Sequence, residues 1–285
     1  MLLANKSKST IKAYLSSVSK IMREFNRLPE ECSKNEIIDF LLRHKTVKGI
    51  QYASIKIIVY AIRYYLVNVA ENLELSIKIP CPKTKYYDIQ VLSTHEIQQL
   101  INACTNSKQK LIIQMLYETG MRISELCKLS LENIDLNLKY ITVLNSKNNV
   151  TRTIKFGSTL ENAIHNYVRD FPTLFSDTSF GKKLHPLIRL SPRRIGWNLK
   201  YIARKTSIRK KISPHILRHT FSVHYLNFGG SIFQLQNILG HSHMMTTLNY
   251  LQYAILPEGK DVSILDTLTN QKNYMIKTHN NILNL

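Results

Sequence analysis

At 285 residues the chain is too long for one small core and comfortable for two domains. With 44% hydrophobic residues it is globular rather than disordered, and no apolar run approaches the length of a membrane span. Lys and Arg number 39 against 19 acids, a formal net charge of +20 with a pI near 9.8, so the partner expected is a polyanion, nucleic acid before a membrane surface.

The four cysteines, Cys32, Cys81, Cys104 and Cys127, are scattered with no CxxC pair. That argues against a zinc site or a disulfide framework and for reduced thiols. The first residues, MLLANKSKSTIK, show no h-region or cleavage site, so a cytoplasmic protein is expected.

Ser7 to Asn26 reads as a helix, with Ile11, Tyr14, Leu15, Val18, Ile21, Met22 and Phe25 at helical spacing and Lys12, Ser16, Lys20 and Arg23 opposite. A second helix opens at Ser33, with Glu36 three residues on as a capping box, and runs to about His44. A third spans roughly Tyr52 to Ala70, where length favours helix despite the β-branched content. These make a helical domain over 1–78. Lys12, Lys20, Lys56 and Arg63 form either a solvated face or a set of DNA-backbone contacts. A linker is expected over 79–92: Pro80 and Pro82 stop any helix, and Lys83 and Lys85 keep the segment solvated.

The second domain, 93–285, begins with another capping box, Ser93 to Glu96, and places Ile97, Leu100 and Ile101 on one face. The stretch Lys108–Glu118 is apolar enough to be a buried helix, stopped at Thr119-Gly120. A new helix starts at Met121, with Arg122 in its first turn. Free N–H groups there suit a phosphate, and Glu125 at i+3 is placed to orient the guanidinium. The ordinary alternative is a surface ion pair. The period then changes: Leu138–Leu144 and Thr151–Phe156 alternate as strands around the turn Asn145–Asn149, with Lys147 at its tip. Glu161 to Asp170 reads as a helix. Ser191 to Ser207 is a basic helix whose Arg193, Arg194, Lys200, Arg204 and Lys205 would flank a nucleic acid, with Trp197 as an apolar anchor. Arg209, Lys210 and Lys211 extend the stripe, and such contacts set affinity more than sequence choice.

The densest chemistry lies between Pro214 and Tyr250. His215 and Arg218 sit three apart, on one face of a helix. Leu239-Gly240-His241 reads as a helix stop that presents His241, and Tyr250 follows nine residues later. A guanidinium fork matches a phosphate in two-point contact, and imidazole donates to the same phosphate or moves a proton near neutral pH. A phenol, with a free pKa of roughly 10, attacks phosphorus only where the transition state is well stabilised. Taken singly, each residue is better read as core or surface filler. Together they describe phosphoryl transfer to tyrosine.

The stretches SPHILRHTFSVHYLNFGG, LQNILGHSHMMTTLNY and YETGMRISELCKLSLENIDL resemble signature motifs of the tyrosine recombinases, the phage-integrase family, and most of all its compact Xer-type members. The resemblance covers about Val91 to Tyr253 well and the first ninety residues in outline. It implies a mainly α fold with a small β-sheet: an N-terminal helical, SAM-like core-binding domain and a C-terminal catalytic domain that clamp double-stranded DNA carrying an inverted-repeat site. It implies that Tyr250 is the nucleophile, with Tyr253 as rival, and that Arg122, Arg218 and His241 hold the scissile phosphate. Glu125 supports Arg122, and His215 assists proton transfer. Lys147 is the general acid for the leaving 5′-hydroxyl, with Lys139 and Lys155 as fallbacks. No metal or cofactor is implied. Dimers on each site and a tetramer in synapsis are implied, joined through a C-terminal segment carrying Val262, Ile264, Leu265 and Leu268. The short chain favours an Xer-like or transposon-borne resolvase over a large phage integrase. Three rivals differ in class: a metal-dependent transposase, which the lack of clustered carboxylates disfavours, a DNA-binding protein without catalysis, and a type IB topoisomerase.

Overall fold

The structure is a computed structural model that describes residues 6–47, 49–82, 88–144, 151–172 and 186–254. They are mainly helical with one small antiparallel sheet, and they divide into two units between Asp88 and Ile89.

In the first unit, Ser7 caps helix α1 (Lys8–Phe25), which ends where Asn26 turns left-handed at φ 51°. Helix α2 (Lys34–Thr46) opens with the expected capping box, Ser33 Oγ accepting from the Glu36 amide and Glu36 accepting from the Ser33 amide at 2.8 Å. Helix α3 (Tyr52–Asn68) is the centre: α1, α2 and a short α4 (Leu73–Lys78) all pack on it, burying Ile21, Ile37, Phe40, Ile58, Val59, Ile62 and Leu66. The sequence pattern misses α4, because six residues are too few to display a period; its signal is the Asn72 cap, whose Oδ1 accepts from the Leu75 amide.

Pro80 follows the end of α4 by two residues, yet the segment after it is not simply solvated. Ile79 is fully buried in the first core, and its carbonyl accepts from Arg63 Nε at 3.1 Å and Nη2 at 2.5 Å. Arg63 therefore ties α3 to the end of α4 through its guanidinium. At the other end, Leu92 is buried in the second unit, and its amide donates to Thr220 Oγ1. Proline forbids helix, not burial. Lys83 and Lys85 lie outside the described residues.

Helix α5 (Thr94–Asn102) carries the Ser93–Glu96 capping box. Behind it, α6 (Ser107–Thr119) is the axle of the second unit: all of Leu111 to Leu116 is buried. Around it pack α5, the single turn α7 (Ile123–Leu126), α8 (Ser158–Asp170), α9 (Pro192–Ala203) and α10 (Pro214–Asn227). The sheet runs β1-β2-β3, with β1 (Ile134–Asp135), β2 (Tyr140–Leu144) and β3 (Thr151–Lys155) antiparallel. Ile141 faces Ile154 in the core, and Leu144 faces Thr151 at the turn end. Leu138 and Lys139 precede the strand expected to contain them, since Lys139 sits in a turn at φ 57°.

Helix α9 buries Ile195, Leu199 and Ile202 and exposes Arg193, Arg194, Lys200 and Arg204. Trp197 is not the expected anchor. It is 53% exposed and lies under Arg193, whose guanidinium carbon is 5.1 Å from the ring centre. The apolar period of this helix is complete without it. Beyond α10, α11 (Ile232–Leu239), α12 (Met244–Leu248) and a 3-10 turn (Leu251–Tyr253) enclose a smaller core of Val223, Leu226, Leu235, Leu239 and Tyr250. Among the described residues no helix is long and apolar enough to cross a membrane. The turn carrying Lys147, and Val262, Ile264, Leu265 and Leu268, lie outside the described residues.

Gly120 ends α6 at φ 57°, and a Cβ there would meet Phe221 at 2.3 Å. Gly229 is also left-handed at φ 85°, with open space around it. Gly229→Ala is expected to cost about 1 kcal/mol for backbone conformation alone. Gly120→Ala adds overpacking, about 2 to 4 kcal/mol in all. Urea unfolding of both variants measures the difference; equal losses would refute the packing account.

Candidate active site

Two helices end on left-handed glycines: α6 at Gly120 and α11 at Gly240, φ 63°. Each end leaves carbonyl oxygens without helical partners and carries the negative pole of the helix dipole. Arg218, on α10, reaches both. Its Nη1 donates to Gly120 O at 2.7 Å and its Nη2 to Leu239 O at 2.8 Å. Arg122 Nη1 also points at Leu239 O, at 3.4 Å, and Arg152 Nε donates to Ile238 O at 2.6 Å. The C-terminus of α11 thus gathers three guanidiniums. That is the physical content of Leu239-Gly240: a Cβ on Gly240 would crowd the Arg152 guanidinium at 3.1 Å.

Glu125 keeps the arginines apart and aimed. Arg122 is the N-cap residue of α7, one position before the first turn where it was expected, and its amide donates to Glu125 Oε2 at 2.7 Å. Its Nη1 donates to Oε1 at 3.0 Å, while Arg152 donates to both carboxylate oxygens, at 3.1 and 2.7 Å. Burial alone would raise the Glu125 pKa; the hydrogen bonds from Arg152 and the Arg122 amide, with both guanidinium charges, outweigh it and hold the carboxyl ionised. One carboxylate therefore faces three guanidiniums, and the cluster keeps an excess of positive charge. Arg218 is 5% exposed, and its hydrogen-bond partners are neutral. Burial, then Arg122, push its pKa down.

His241 follows Gly240. Its Nε2 accepts from Arg218 Nη2 at 3.0 Å, so its proton sits on Nδ1 and is donated to Thr247 Oγ1 at 3.0 Å. Burial first, then Arg218, Arg122 and Arg152, pull its pKa down to about 4. The Tyr250 ring lies nearly parallel to it, 13° apart with centres at 6.4 Å. Thr247 is fully buried and serves twice, since its carbonyl also accepts from the Tyr250 amide at 3.0 Å.

Tyr250 is 4% exposed, and its hydroxyl is held by a residue the sequence reading did not single out. His219 Nδ1 lies 2.9 Å from the Tyr250 oxygen. His215, one turn upstream on α10, is exposed, and its side chain makes no hydrogen bond among the described residues. Tyr253 is half-buried against the small apolar core and makes no side-chain hydrogen bond among the described residues. Of the fallback lysines, Lys139 pairs with Glu161 at 2.9 Å and Lys155 stands opposite Tyr140, both at the end of the hairpin away from its turn. Lys147 lies outside the described residues. Arg193, Arg194, Lys200 and Arg204 line α9, apart from the arginine cluster in sequence. Among the described residues no group of His, Cys, Asp and Glu is arranged to hold a metal ion.

Sequence reasoning missed Arg152, His219 and Thr247. Arg152 was findable: it stands two before Ile154, on the inward side of β3, where an arginine needs a buried partner. His219 was one helical turn from His215. Thr247 gave no signal.

His241, His219 and His224 are all held below the ordinary imidazole value, each by burial first. The unfolded chain therefore takes up these protons first as pH falls. The Tm is expected to hold steady above about 6.5 and fall from there toward 4, before depressed carboxylates such as Glu125 contribute. His241→Gln, which keeps an acceptor for Arg218, should flatten part of that fall in thermal melts; an unchanged profile would contradict the assignment.

Residues 90–255 match the phage integrase family, and residues 1–73 match the phage integrase N-terminal SAM-like domain. The tyrosine recombinase XerA of Saccharolobus solfataricus is 31% identical over 257 residues, covering 88% of this chain and 84% of its own. The crystal structure of a XerA recombinase superposes with a TM-score of 0.51 at 27% identity, covering 94% of this chain and 93% of that one. Lambda integrase, in a tetramer bound to a Holliday junction, shares the fold at a TM-score of 0.67 and 18% identity, over 86% of this chain and 72% of that one. The chain belongs to the phage integrase family and is a tyrosine-type site-specific recombinase.

Proposed function

We propose that this recombinase cleaves and rejoins double-stranded DNA through a covalent 3′-phosphotyrosine on Tyr250. The observation that carries the reading is the buried Arg218. A guanidinium taken out of water without a carboxylate of its own is costly. It is tolerable in a site made to receive an anion, and a scissile phosphate supplies one.

In this reading Arg122, Arg218 and His241 donate to the two non-bridging oxygens as charge builds on them. Bound phosphate favours the protonated form of His241, which then becomes a donor. Tyr250 Oη bonds to phosphorus, and the bond to the 5′-oxygen breaks. Lys147 protonates that leaving oxygen, the turn end of the hairpin being the end nearer Arg152, Glu125 and the arginine cluster. Attack by another 5′-hydroxyl reverses the step and completes the exchange. The phosphotyrosine conserves the bond energy, so no nucleotide or metal enters. The basic faces of both units, including Arg193, Arg194, Lys200 and Arg204, hold the backbone of an inverted-repeat site. Four protomers act on two sites, a tetramer being the assembly in which lambda integrase is bound to a Holliday junction, and they are joined through the segment bearing Val262 to Leu268. Resolution of replicon dimers or of cointegrates, and integration or excision of a mobile element, are all outcomes of this one chemistry.

The test is a DNA site nicked just beside the scissile phosphate, which traps the covalent adduct. Wild type should form it in EDTA, and Tyr250→Phe should not. Arg122→Lys keeps the charge but loses the fork, and should slow cleavage about 100-fold with DNA affinity nearly unchanged. An adduct that survives in Tyr250→Phe, or a requirement for divalent metal, would reject the mechanism. Relaxation of supercoiled DNA lacking a site as fast as DNA carrying one would favour a topoisomerase.

A further inference from the structure

The Tyr250 hydroxyl makes no hydrogen bond to Arg122, Arg218 or His241 among the described residues. Its hydrogen-bond partner is His219 Nδ1, at 2.9 Å, with the two rings 5.6 Å apart and inclined by 52°. His219 sits directly after Arg218 on α10, so the helix that buries the guanidinium also fixes this imidazole. Both rings are shielded: Tyr250 is buried and His219 half-buried. A phenol attacking phosphorus must lose its proton, and a base at hydrogen-bond distance from the oxygen is placed to take it.

Taking Tyr250 as the nucleophile, as proposed above, we infer that His219 holds its hydroxyl and accepts its proton during attack on phosphorus. As the Oη–P bond forms and the P–O5′ bond breaks, the phenolic proton passes to His219 Nδ1, and the leaving 5′-oxygen takes its proton from the general acid. In the reverse direction His219 returns the proton to Tyr250 as the incoming 5′-hydroxyl displaces it. His215, exposed and one turn away, is left to the substrate side.

The surroundings suit a base. Charged or titratable groups face His219 from its own helix, His215 and Arg218, and from the elements packed against it, His241 and Tyr250. Burial, then His215 and Arg218, lower its pKa from the ordinary 6.5. It is therefore neutral at pH 7 and able to receive a proton.

The experiment is single-turnover formation of the covalent adduct on a nicked site between pH 5.5 and 9, with DNA affinity measured beside it. Two leaving groups are compared: the natural 5′-oxygen and a bridging 5′-sulfur, which departs without protonation. His219→Asn keeps an acceptor near the Nδ1 position but is no base. It should bind DNA as wild type does and cleave about 100-fold more slowly at pH 7. Its rate should climb ~tenfold per pH unit where wild type has levelled off. Sulfur should rescue Lys147→Ala and leave His219→Asn slow, because the defect lies at the nucleophile. A wild-type rate and plateau in His219→Asn, rescue of it by sulfur, or loss of DNA binding in step with cleavage would each overturn the assignment. Tyr250→Phe runs alongside: an adduct there would defeat the choice of nucleophile itself, a failure distinct from those read on His219.

Discussion

One helix terminus organises the catalytic unit. The last carbonyls of α11, at Ile238 and Leu239, accept from Arg152, Arg122 and Arg218, which arrive from a strand, a turn and another helix. The dipole of α11 makes that end electronegative, and Gly240 turns the chain away so that the arginines can reach it. Each arginine loses part of its hydration there and gains a fixed direction. Mutual repulsion is relieved by a single acid, Glu125, which is too little to neutralise them. The result is a preassembled cationic cradle. In the proposed reaction its donors need little reorganisation as charge develops on a phosphate, which is where electrostatic catalysis gains most.

Tyr250, the proposed nucleophile, is fastened to the same framework. Thr247 binds His241 through its hydroxyl and Tyr250 through its carbonyl, while His219 holds the phenol from the helix that carries Arg218. Helix α10 therefore contributes the proposed phosphate ligand and a partner for the proposed nucleophile in adjacent residues. The small core of Val223, Leu226, Leu235 and Leu239 packs beneath both and seats the Tyr250 ring. Removing Glu125 would cost about 3 to 5 kcal/mol by leaving the buried Arg152 charge uncompensated, so the cradle and the stability of the unit are not separable.

Much of this was legible in the residues. Capping boxes at Ser33 and Ser93, the apolar period of α1 and the alternation of β2 and β3 came straight from local chemistry. That Arg122, Arg218, His241 and Tyr250 lie close together was expected from motif and order, and the structure brings them to one place. What escaped has physical causes. Helix α4 is too short to show a period, and Trp197 looks like an anchor only until its helix is seen to have a full apolar face without it. The burial of Ile79 depends on Arg63, sixteen residues away. That His219, not His215, meets the phenol depends on where α12 returns the chain, which no local pattern on α10 encodes.

The central claim is that the cradle exists before DNA arrives. The most direct measurement is the titration of His241 by NMR, in free protein and with a phosphodiester-containing site bound to Tyr250→Phe. A preformed cluster of guanidiniums predicts an imidazole that titrates near 4 in the free protein and rises once phosphate neutralises its neighbours. An ordinary value near 6.5 in the free protein, unmoved by the bound site, would mean that the arginines are not assembled around it, and the account would be wrong.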